Sequence, residues 1–584
     1  KKLLDFPRHM GVHSGGFIIS QHEIDQLVPQ EPATMEGRTV IQWSKDDIEE
    51  LGFFKIDCLS LGMLSAVRKC FDLIEKHHGK KFNLYDIPQD DKPTYQMIQK
   101  ADTVGVFQIE SRAQQEMAPR FRPKDLYDLV IQIATIRPGP LEGDAKNPLI
   151  RRRNGLEPVT YPCKEVEEIL SRTMGVLVFQ EQLMRIAVAL GDFTAGEANE
   201  LRKNIGAWNS KAFNRNLHPF MKKLFDGLKK RGLKKEFAMQ LMHQMKGFAH
   251  YGFPESHAIS FAFIAYASSY LKCHYPAAFY ASVLNSQPMG FYSPHALLEA
   301  AKRNHVTILP LCINTSTWDH KLEEIQQKPG RPSVFAIRLG FRLVSGLREQ
   351  GIESLCFERN QNGIFKNFDD FIQRTKLFKD DYIKIASTNA LSTFKLSRDD
   401  AIWKCSAVPY KELIDFEDKE IKWQKKSKMD EVVQDFHSFG TTTSEHPIQI
   451  LKESWSYSIK KESIKTSIQL QETPNTHVVS VFGMLISKQA PPTAKGMVFY
   501  TLEDETGFLN LVFTPQVYRK FHQFLEGQKI HCVSGILQKN QDSHSILVKT
   551  VHLAVLENVK SMQGRRPIQK DSKQKFKADK VHYR

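Results

Sequence analysis

Charged residues at the ends of short apolar runs are the first candidates for chemistry in this chain. Alternation along Phe54-Lys55-Ile56-Asp57 places Lys55 and Asp57 on one face of a predicted strand. A carboxylate there could hold Mg²⁺, which prefers oxygen ligands, while the lysine meets a phosphate. A surface ion pair is the competing interpretation, because a two-metal site needs more carboxylates than this stretch supplies.

Three further cations stand where helices are predicted to end. The turn Arg137-Pro138-Gly139-Pro140 fixes the backbone after a predicted helix over 125–136, so it could aim Arg137. Arg202 and Lys203 follow the helical stretch 195–201, and paired cations suit a triphosphate. A plain helix stop and a solvated basic face are the respective alternatives.

A glycine and proline turn at 251–254 leads into another predicted helix. We expect Glu255 or Ser256 to cap this helix and His257 to lie in its first turn. Helix N-termini attract phosphates, so Ser256 and His257 are candidates for nucleotide binding. The alternative is a capped core helix with no ligand.

Two glycine-like bends predict hairpins between short helices, whose backbone amides can hold a DNA phosphate. The first bend is at Gly346, within Val344-Ser345-Gly346-Leu347, and the second is at Asn389, within 386–391. Asparagine tolerates left-handed backbone geometry almost as well as glycine does. Ordinary helical hairpins remain the alternative.

Aromatic residues alternate with polar ones over 475–558, among strands that also carry lysines. Tyr500 and Phe513, together with Phe499 and Lys495, fit a surface on which single-stranded bases stack. Aromatic side chains in strands also commonly fill a core, and the pattern leaves that alternative open.

The elements that must position these residues divide the chain into six segments. Short strands and turns occupy 1–60, and long helices, such as one over 266–284, dominate 61–333. Shorter helices follow over 334–403, a charged and weakly periodic linker over 404–470, and five alternating runs over 471–559 that predict a small barrel. These runs are 478–486, 497–502, 509–513, 529–537 and 545–551. The fold class is therefore multidomain α+β.

Composition narrows the function classes. The 584 residues include 81 Lys plus Arg against 66 Asp plus Glu, a net charge of +15 that favours acidic partners. The segment 560–584 is strongly basic and is predicted to be disordered. The eight cysteines never approach CxxC spacing, so they indicate neither a zinc site nor disulfides, and a reducing cytosol fits. No apolar run reaches the about 20 residues of a membrane span.

Taken in order, several blocks resemble the alpha subunit of bacterial DNA polymerase III, a C-family polymerase. The palm and fingers blocks are Gly11 to Gly16, Lys55-Ile56-Asp57, Gly105 to Arg112, Arg137 to Leu141, Phe179 to Gln182, Leu201 to Lys203, Tyr251 to Phe253 and Ser256-His257. Blocks typical of the error-prone branch are Pro254 to His257, Leu271 to His274, Asn285 to Tyr292, Ala494 to Gly496 and Thr501 to Gly507. The replicative branch usually carries lysine at the position of Glu255.

The resemblance implies a partial palm at 1–60, fingers at 61–333, a helix-hairpin-helix region at 334–403 and an OB-type barrel at 471–559. Asp57 matches the third of three palm carboxylates that hold two Mg²⁺ ions, and Lys55 matches a neighbouring phosphate contact. Arg137, Arg202, Lys203, Ser256 and His257 match positions around an incoming dNTP. The first two palm carboxylates have no match here, so we expect a piece of a longer polymerase that alone extends primers little or not at all.

The resemblance also sets the expected partners: primer-template DNA, dNTPs and a recruiting accessory protein of the damage response, in the bacterial cytoplasm near the nucleoid. Residues 407–437 contain no QxxLF-like segment, so sliding-clamp binding is not expected. Two alternatives stay open, namely a main replicative alpha subunit and a non-catalytic DNA-binding remnant.

Overall fold

The computed structural model describes residues 16–33, 37–43, 45–58, 61–136, 146–205, 218–233, 236–237, 239, 241, 254–325, 334–407, 423, 426–453, 463–490, 494, 496–540 and 543–552. Helices dominate the first two thirds of these residues and a closed barrel ends them. This confirms the predicted α+β class. Within the described part of the chain, no helix combines the length and apolar character that crossing a membrane requires.

The N-terminal segment consists of short antiparallel strand pairs. Its elements are β1 (Gly16–Ile19), β2 (Gln30–Pro32), β3 (Thr39–Ile41), α1 (Lys45–Glu50) and β4 (Phe54–Asp57). Strand β1 pairs with β4 and β2 with β3. The predicted strand around Asp57 is therefore present, as an edge of a two-stranded ribbon.

Helices dominate the described residues from Leu61 to Arg303. They are α2 (Leu61–His78), α3 (Lys92–Gln99), α4 (Arg112–Phe121), α5 (Leu126–Thr135), α6 (Lys146–Arg153), α7 (Lys164–Leu170), α8 (Gln180–Gly191), α9 (Ala195–Ile205), α10 (His218–Lys230), α11 (Glu255–His274), α12 (Pro276–Leu284) and α13 (Pro294–Arg303). Side chains cap several of them: Asp91 accepts the amide of Thr94, and Asp125 that of Asp128, each at 2.9 Å.

One helix was predicted too long. The apolar stretch over 266–284 belongs to two helices, α11 and α12, that meet at Tyr275 and Pro276. Proline lacks the N–H that a helix interior needs and disfavours helical geometry in the residue before it, whereas it fits the first position of a new helix.

The hairpin region packs onto the helical domain through a shared core. A three-stranded sheet, β5 (Ile308–Leu309), β7 (Val334–Arg338) and β6 (Lys321–Ile325), precedes α14 (Glu349–Asn362), α15 (Phe368–Arg374), α16 (Lys379–Ser387) and α17 (Arg398–Ala407). Buried side chains from Met63 to Phe439 form one continuous apolar cluster across both regions. A smaller cluster joins α7 to α10.

The predicted linker contains regular structure. Helices α18 (Lys428–Phe439) and α19 (Pro447–Glu453) lie within 404–470, and α20 (Ser467–Glu472) ends it. Helix α18 starts with a capping box between Ser427 and Asp430 and ends at Gly440 in the left-handed region. The assignment of this segment as a linker or adaptor stays a prediction, and the buried residues of α18 include Val432 and Phe439.

The predicted barrel is confirmed. Strands β8 (Val478–Gln489), β9 (Val498–Glu503), β10 (Phe508–Phe513), β11 (Ile530–Asn540) and β12 (Ser543–His552) close in the order β10-β12-β11-β8-β9, with α21 (Pro515–Leu525) between β10 and β11. Each predicted run overlaps one strand. The basic segment 560–584 lies outside the described residues.

Candidate nucleotide and DNA-binding surfaces

Strand β4 carries the predicted metal ligand at its end. Its register places Asp57 opposite Gly16 and Lys55 opposite Ile18 of β1. Positions 55 and 57 share one face of the strand, as the alternation predicted. Of Asp57 the structure describes the backbone alone, so its ligand role stays a prediction.

Two of the three predicted fingers cations, Arg202 and Lys203, lie on α9. Arg202 is half-buried in the last turns of this helix, and its Nε donates to Asn199 Oδ1 at 3.1 Å. This contact orients the guanidinium. Lys203 is adjacent, with only its backbone described, and Arg137 lies outside the described residues. The structure therefore places one of the three predicted cations.

The N-terminus of α11 is capped in a way that the sequence did not predict. Pro254 is the N-cap residue, and no side chain of α11 caps the helix. Instead the backbone N–H of Glu255 donates to Glu181 Oε2 on α8 at 3.0 Å. The expectation that Glu255 or Ser256 caps this helix was wrong, because a carboxylate distant in sequence already takes the first free amide.

Ser256 and His257 occupy the first turn of α11, as predicted. Ser256 is exposed, and its carbonyl accepts a hydrogen bond from Ser260 Oγ at 3.1 Å. The His257 ring packs edge-on against Phe261, with 4.2 Å between ring centroids. A ligand phosphate at this helix end would therefore meet the hydroxyl and amide of Ser256 and the outer edge of His257.

Glu255 and Tyr127 form a contact that sequence reasoning missed. The Tyr127 hydroxyl of α5 donates to Glu255 Oε1, and the guanidinium of Arg172 lies 4.8 Å from the Tyr127 ring centroid. Burial raises the pKa of Tyr127, so the hydroxyl keeps its proton for this bond. Glu255 thus ties α11 to α5 instead of facing solvent alone.

A buried lysine fixes the other end of α11. Lys272 is 1% exposed, and its Nζ donates to Asp102 Oδ1 at 2.7 Å, Asp102 O at 2.8 Å and Val104 O at 3.2 Å. All three ammonium donors are therefore used. Burial lowers the pKa of Lys272, and the Asp102 carboxylate opposes that shift.

The Gly105 to Arg112 block braces the loop that follows α12. The Glu110 carboxylate accepts the amides of Gly105 at 2.9 Å and Phe291 at 3.1 Å. Burial raises the pKa of Glu110 to about 7. A side chain at Gly290 would lie 2.9 Å from Glu110 Oε1, so the loop needs glycine there. This block therefore has a structural role in the described geometry.

The first predicted hairpin bends at Gly346, which has a φ of 68°. A short 3-10 turn, Phe341–Leu343, precedes it and α14 follows. Lys384 of α16 donates to the Gly346 carbonyl, and the guanidinium of Arg348 stacks 3.9 Å from the Phe378 ring centroid. Two cations therefore stand beside this bend, and the Asp381 carboxylate lies 3.1 Å from Arg348 Nε and 4.0 Å from Lys384 Nζ.

The second hairpin bends at Asn389, whose φ of 64° confirms the left-handed geometry expected there. Helix α16 precedes it, and a 3-10 turn, Ser392–Phe394, and α17 follow. Ser438 of α18 joins the two bends, because its carbonyl accepts from the Ser345 amide at 3.3 Å and its Oγ donates to Ser387 O at 3.2 Å. The two hairpins form one unit.

The barrel aromatics do not form the predicted stacking surface. Tyr500 is 1% exposed and Phe513 is fully buried, and their rings pack 5.0 Å apart in the barrel core. A base cannot stack on a ring without exposed area, so the core alternative is correct for both. The alternation of apolar and polar residues along a strand shows which side chains share a face. It does not show whether that face points into the barrel. Lys495 lies outside the described residues.

Phe499, the third aromatic, faces the helical domain. The guanidinium of Arg112 lies 4.9 Å from its ring centroid, and Arg112 Nη1 donates to the carbonyls of Leu511 at 3.2 Å and Tyr500 at 3.4 Å. Arg303 adds a second contact through Glu503 at 2.9 Å. These arginines dock the barrel onto α4 and α13. Bound DNA would have to pass outside this interface.

Family models match this architecture segment by segment. The bacterial DNA polymerase III alpha NTPase domain matches 1–60, the finger domain of the same subunit 63–232, a helix-hairpin-helix motif 305–401 and an OB-fold nucleic acid binding domain 479–554. The order agrees with the segments inferred from the sequence.

Curated relatives of the chain include error-prone DNA polymerases from several bacteria. An error-prone DNA polymerase of Methylococcus capsulatus is 41% identical over 557 residues, which are 92% of this chain and 52% of that protein. One from Vibrio campbellii is 43% identical over 558 residues, 94% of this chain and 53% of that protein. The error-prone DNA polymerase 2 of Agrobacterium fabrum is 40% identical over 554 residues, 92% and 50% respectively. The chain spans about half the length of the curated relatives it matches. With its finger, hairpin and barrel segments in this order, the chain belongs to the bacterial DNA polymerase III alpha-subunit family, within its error-prone group.

Proposed function

We propose that this chain carries the nucleotide-docking and DNA-gripping parts of an error-prone DNA-directed DNA polymerase. The observation that supports this most strongly is the identity of about 40% with error-prone polymerases along 92% of the chain. The reaction is attack of a primer 3′-hydroxyl on the α-phosphate of a dNTP, with pyrophosphate leaving. Positioning and charge neutralisation carry most of such a rate.

In this proposal the fingers residues hold the triphosphate. Arg202, oriented by Asn199, and Lys203 supply positive charge at the end of α9. Ser256 and His257 supply a hydroxyl, amides and an imidazole at the start of α11. The Glu181 carboxylate already accepts the first amide of α11. We therefore assign the phosphate contact to the amide of the second residue of the helix, Ser256, and to the side chains. Arg137 keeps its proposed role on the resemblance alone.

Polymerases of this family use divalent metal ions, and we propose Mg²⁺ here. Asp57, at the end of β4, would hold it, and Lys55 on the same strand face would meet a phosphate. When bound, two such ions lower the pKa of the primer hydroxyl and stabilise the leaving oxygens. One carboxylate cannot hold two ions, so further ligands are needed beyond those that the resemblance identifies in these 584 residues.

The DNA grip is assigned to the hairpin unit. The bends at Gly346 and Asn389 turn the backbone between short helices, and Arg348 and Lys384 add charge beside the first bend. Such contacts read phosphates and not sequence. The barrel contributes through its exposed basic residues, Lys549 among them, since its core aromatics are inaccessible. Recruitment by an accessory protein of the damage response, in the cytoplasm near the nucleoid, belongs to the same proposal.

Primer extension tests the activity. A labelled primer-template is incubated with Mg²⁺, dNTPs and either the chain, Asp57→Ala or the control Asp25→Ala, which removes an exposed carboxylate of the same segment. We expect little or no extension by the chain alone, and any extension that occurs should be lost in Asp57→Ala and kept in Asp25→Ala. Extension that survives Asp57→Ala would contradict the assignment of Asp57.

Fluorescence anisotropy with primed DNA tests the grip. Affinity should fall steeply with salt, because each phosphate contact releases about 0.9 counterion. Deletion of 560–584 should weaken binding equally for unrelated sequences. A flat salt response would refute the DNA-binding assignment, while steep salt dependence without primer extension would leave a DNA-binding polymerase segment that lacks activity alone.

A further inference from the structure

A cluster of buried, unpartnered ligand atoms lies where three parts of the chain meet. His295 is the second residue of α13, His446 directly precedes α19, and Glu503 ends β9 of the barrel. The three side chains offer one ligand atom each, and these atoms all lie within 4.8 Å of one another. None of the residues assigned to nucleotide or DNA binding belongs to this cluster.

All three residues are buried yet incompletely satisfied. His295, His446 and Glu503 are 3%, 5% and 0% exposed. His295 Nε2, His446 Nε2 and Glu503 Oε2 have no hydrogen-bond partner. Buried polar atoms are nearly always paired, so three unpartnered atoms in one such cluster indicate a missing common partner.

The surrounding contacts orient two of the orphan atoms for coordination. His295 Nδ1 lies 3.0 Å from Thr441 Oγ1, and donation through this bond leaves the lone pair on Nε2. Arg303 Nη1 donates to Glu503 Oε1 at 2.9 Å, which leaves Oε2 as the carboxylate oxygen without a partner. His446 is the less ready ligand, because its Nδ1 accepts the Ile448 amide at 3.2 Å and must give up that bond to ligate through Nε2.

We propose that His295, His446 and Glu503 bind one Zn²⁺ ion, which fastens the barrel and α19 to the helical domain. Two imidazoles and one carboxylate are a common zinc ligand set, with water in the fourth position. Mg²⁺ fits poorly because it prefers oxygen ligands. No cysteine takes part, in keeping with the cysteine spacing.

A second cluster, Asp91, Cys273 and His274, provides the contrast. Asp91 there accepts bonds from the amide and hydroxyl of Thr94 and lies 2.9 Å from His274 Nε2. Its acceptors are already used, so this cluster has no comparable need for an ion. His274→Ala is therefore the matched control.

The test measures zinc binding by the full chain, after a chelator has removed bound metal and desalting has removed the chelator. Metal analysis should find one Zn²⁺ per chain for the unmodified protein and for His274→Ala. His295→Ala and Glu503→Gln should each lower the zinc affinity by at least about 100-fold. Such a loss exceeds the one typical of residues that only orient metal ligands. Circular dichroism checks that each variant is folded. Absence of retained zinc, or unchanged affinity in folded Glu503→Gln, would overturn the proposal and leave internal water as the common partner.

Cobalt substitution in the unmodified chain gives a readout that does not depend on any variant. Co²⁺ at a site of two histidines and one carboxylate should show four- or five-coordinate visible bands without the strong thiolate absorption that Cys273 would add. A thiolate band would place the ion at the second cluster and refute the assignment.

Discussion

Lys272 and Lys428 allow a matched test of what burial does to an ion pair. Both Nζ atoms lie 2.7 Å from a carboxylate oxygen, of Asp102 and Glu445 respectively. The Lys272 side chain is fully buried, whereas that of Lys428 is 63% exposed. Replacing each lysine with methionine keeps most of the side-chain volume and removes the charge and its donors.

The expected cost of Lys272→Met follows from its contacts. The change deletes three charge-assisted hydrogen bonds and strands the buried carbonyl of Val104. Breaking a buried pair costs about 3 to 5 kcal/mol, and the Asp102 side chain is 39% exposed and can be hydrated. We therefore expect about 3 kcal/mol, the lower end of that range. Lys428→Met should not change stability measurably relative to the unmodified chain, because water replaces the partner that each member of this exposed pair loses.

The measurement is hydrogen exchange of α11 peptides under native conditions. A multidomain chain has no single two-state free energy of unfolding, whereas local opening of α11 is defined. Loss of about 3 kcal/mol corresponds to roughly 100-fold faster exchange of the most protected α11 amides. Equal acceleration by Lys428→Met, or less than threefold acceleration by Lys272→Met, would refute the argument that burial decides the energy of the pair.

Three further outcomes are expected. Burial raises the pKa of Glu110 from 4.5 to about 7. Between these two pH values the folded state holds a proton that the unfolded state has lost, so stability should fall as the pH rises from 4.5 to about 7. Glu110→Gln should make this fall shallower in melting experiments at different pH values. Arg112→Met should loosen the barrel by about 3 kcal/mol, seen as faster exchange in β9 with α8 unchanged, because it removes two bonds and a ring contact. Asn389→Gly should keep DNA affinity while Asn389→Val lowers it at equal overall folding, since only the valine is strained at a φ of 64°; equal affinities would remove this bend from the DNA contact.

The sequence alone determined the barrel strands, the two hairpin bends and the family. Alternating runs predicted five strands, each of which overlaps a strand of the closed barrel. The bends at Gly346 and Asn389 followed from residues that tolerate positive φ. The motifs and their order along the chain identified the family, which the comparisons confirm. These features are local, so spacing and residue type are enough to specify them.

Only the tertiary structure decided which faces are buried and which distant residues meet. Alternation grouped Tyr500 with Phe513 correctly but could not show that their face fills the barrel. The cap of α11 comes from Glu181, 74 positions away from Glu255, and no local pattern reports such a contact. The cluster of His295, His446 and Glu503 is likewise assembled from three segments by packing. Long-range contacts depend on how elements dock, and that is set by the whole core and not by any single stretch of sequence.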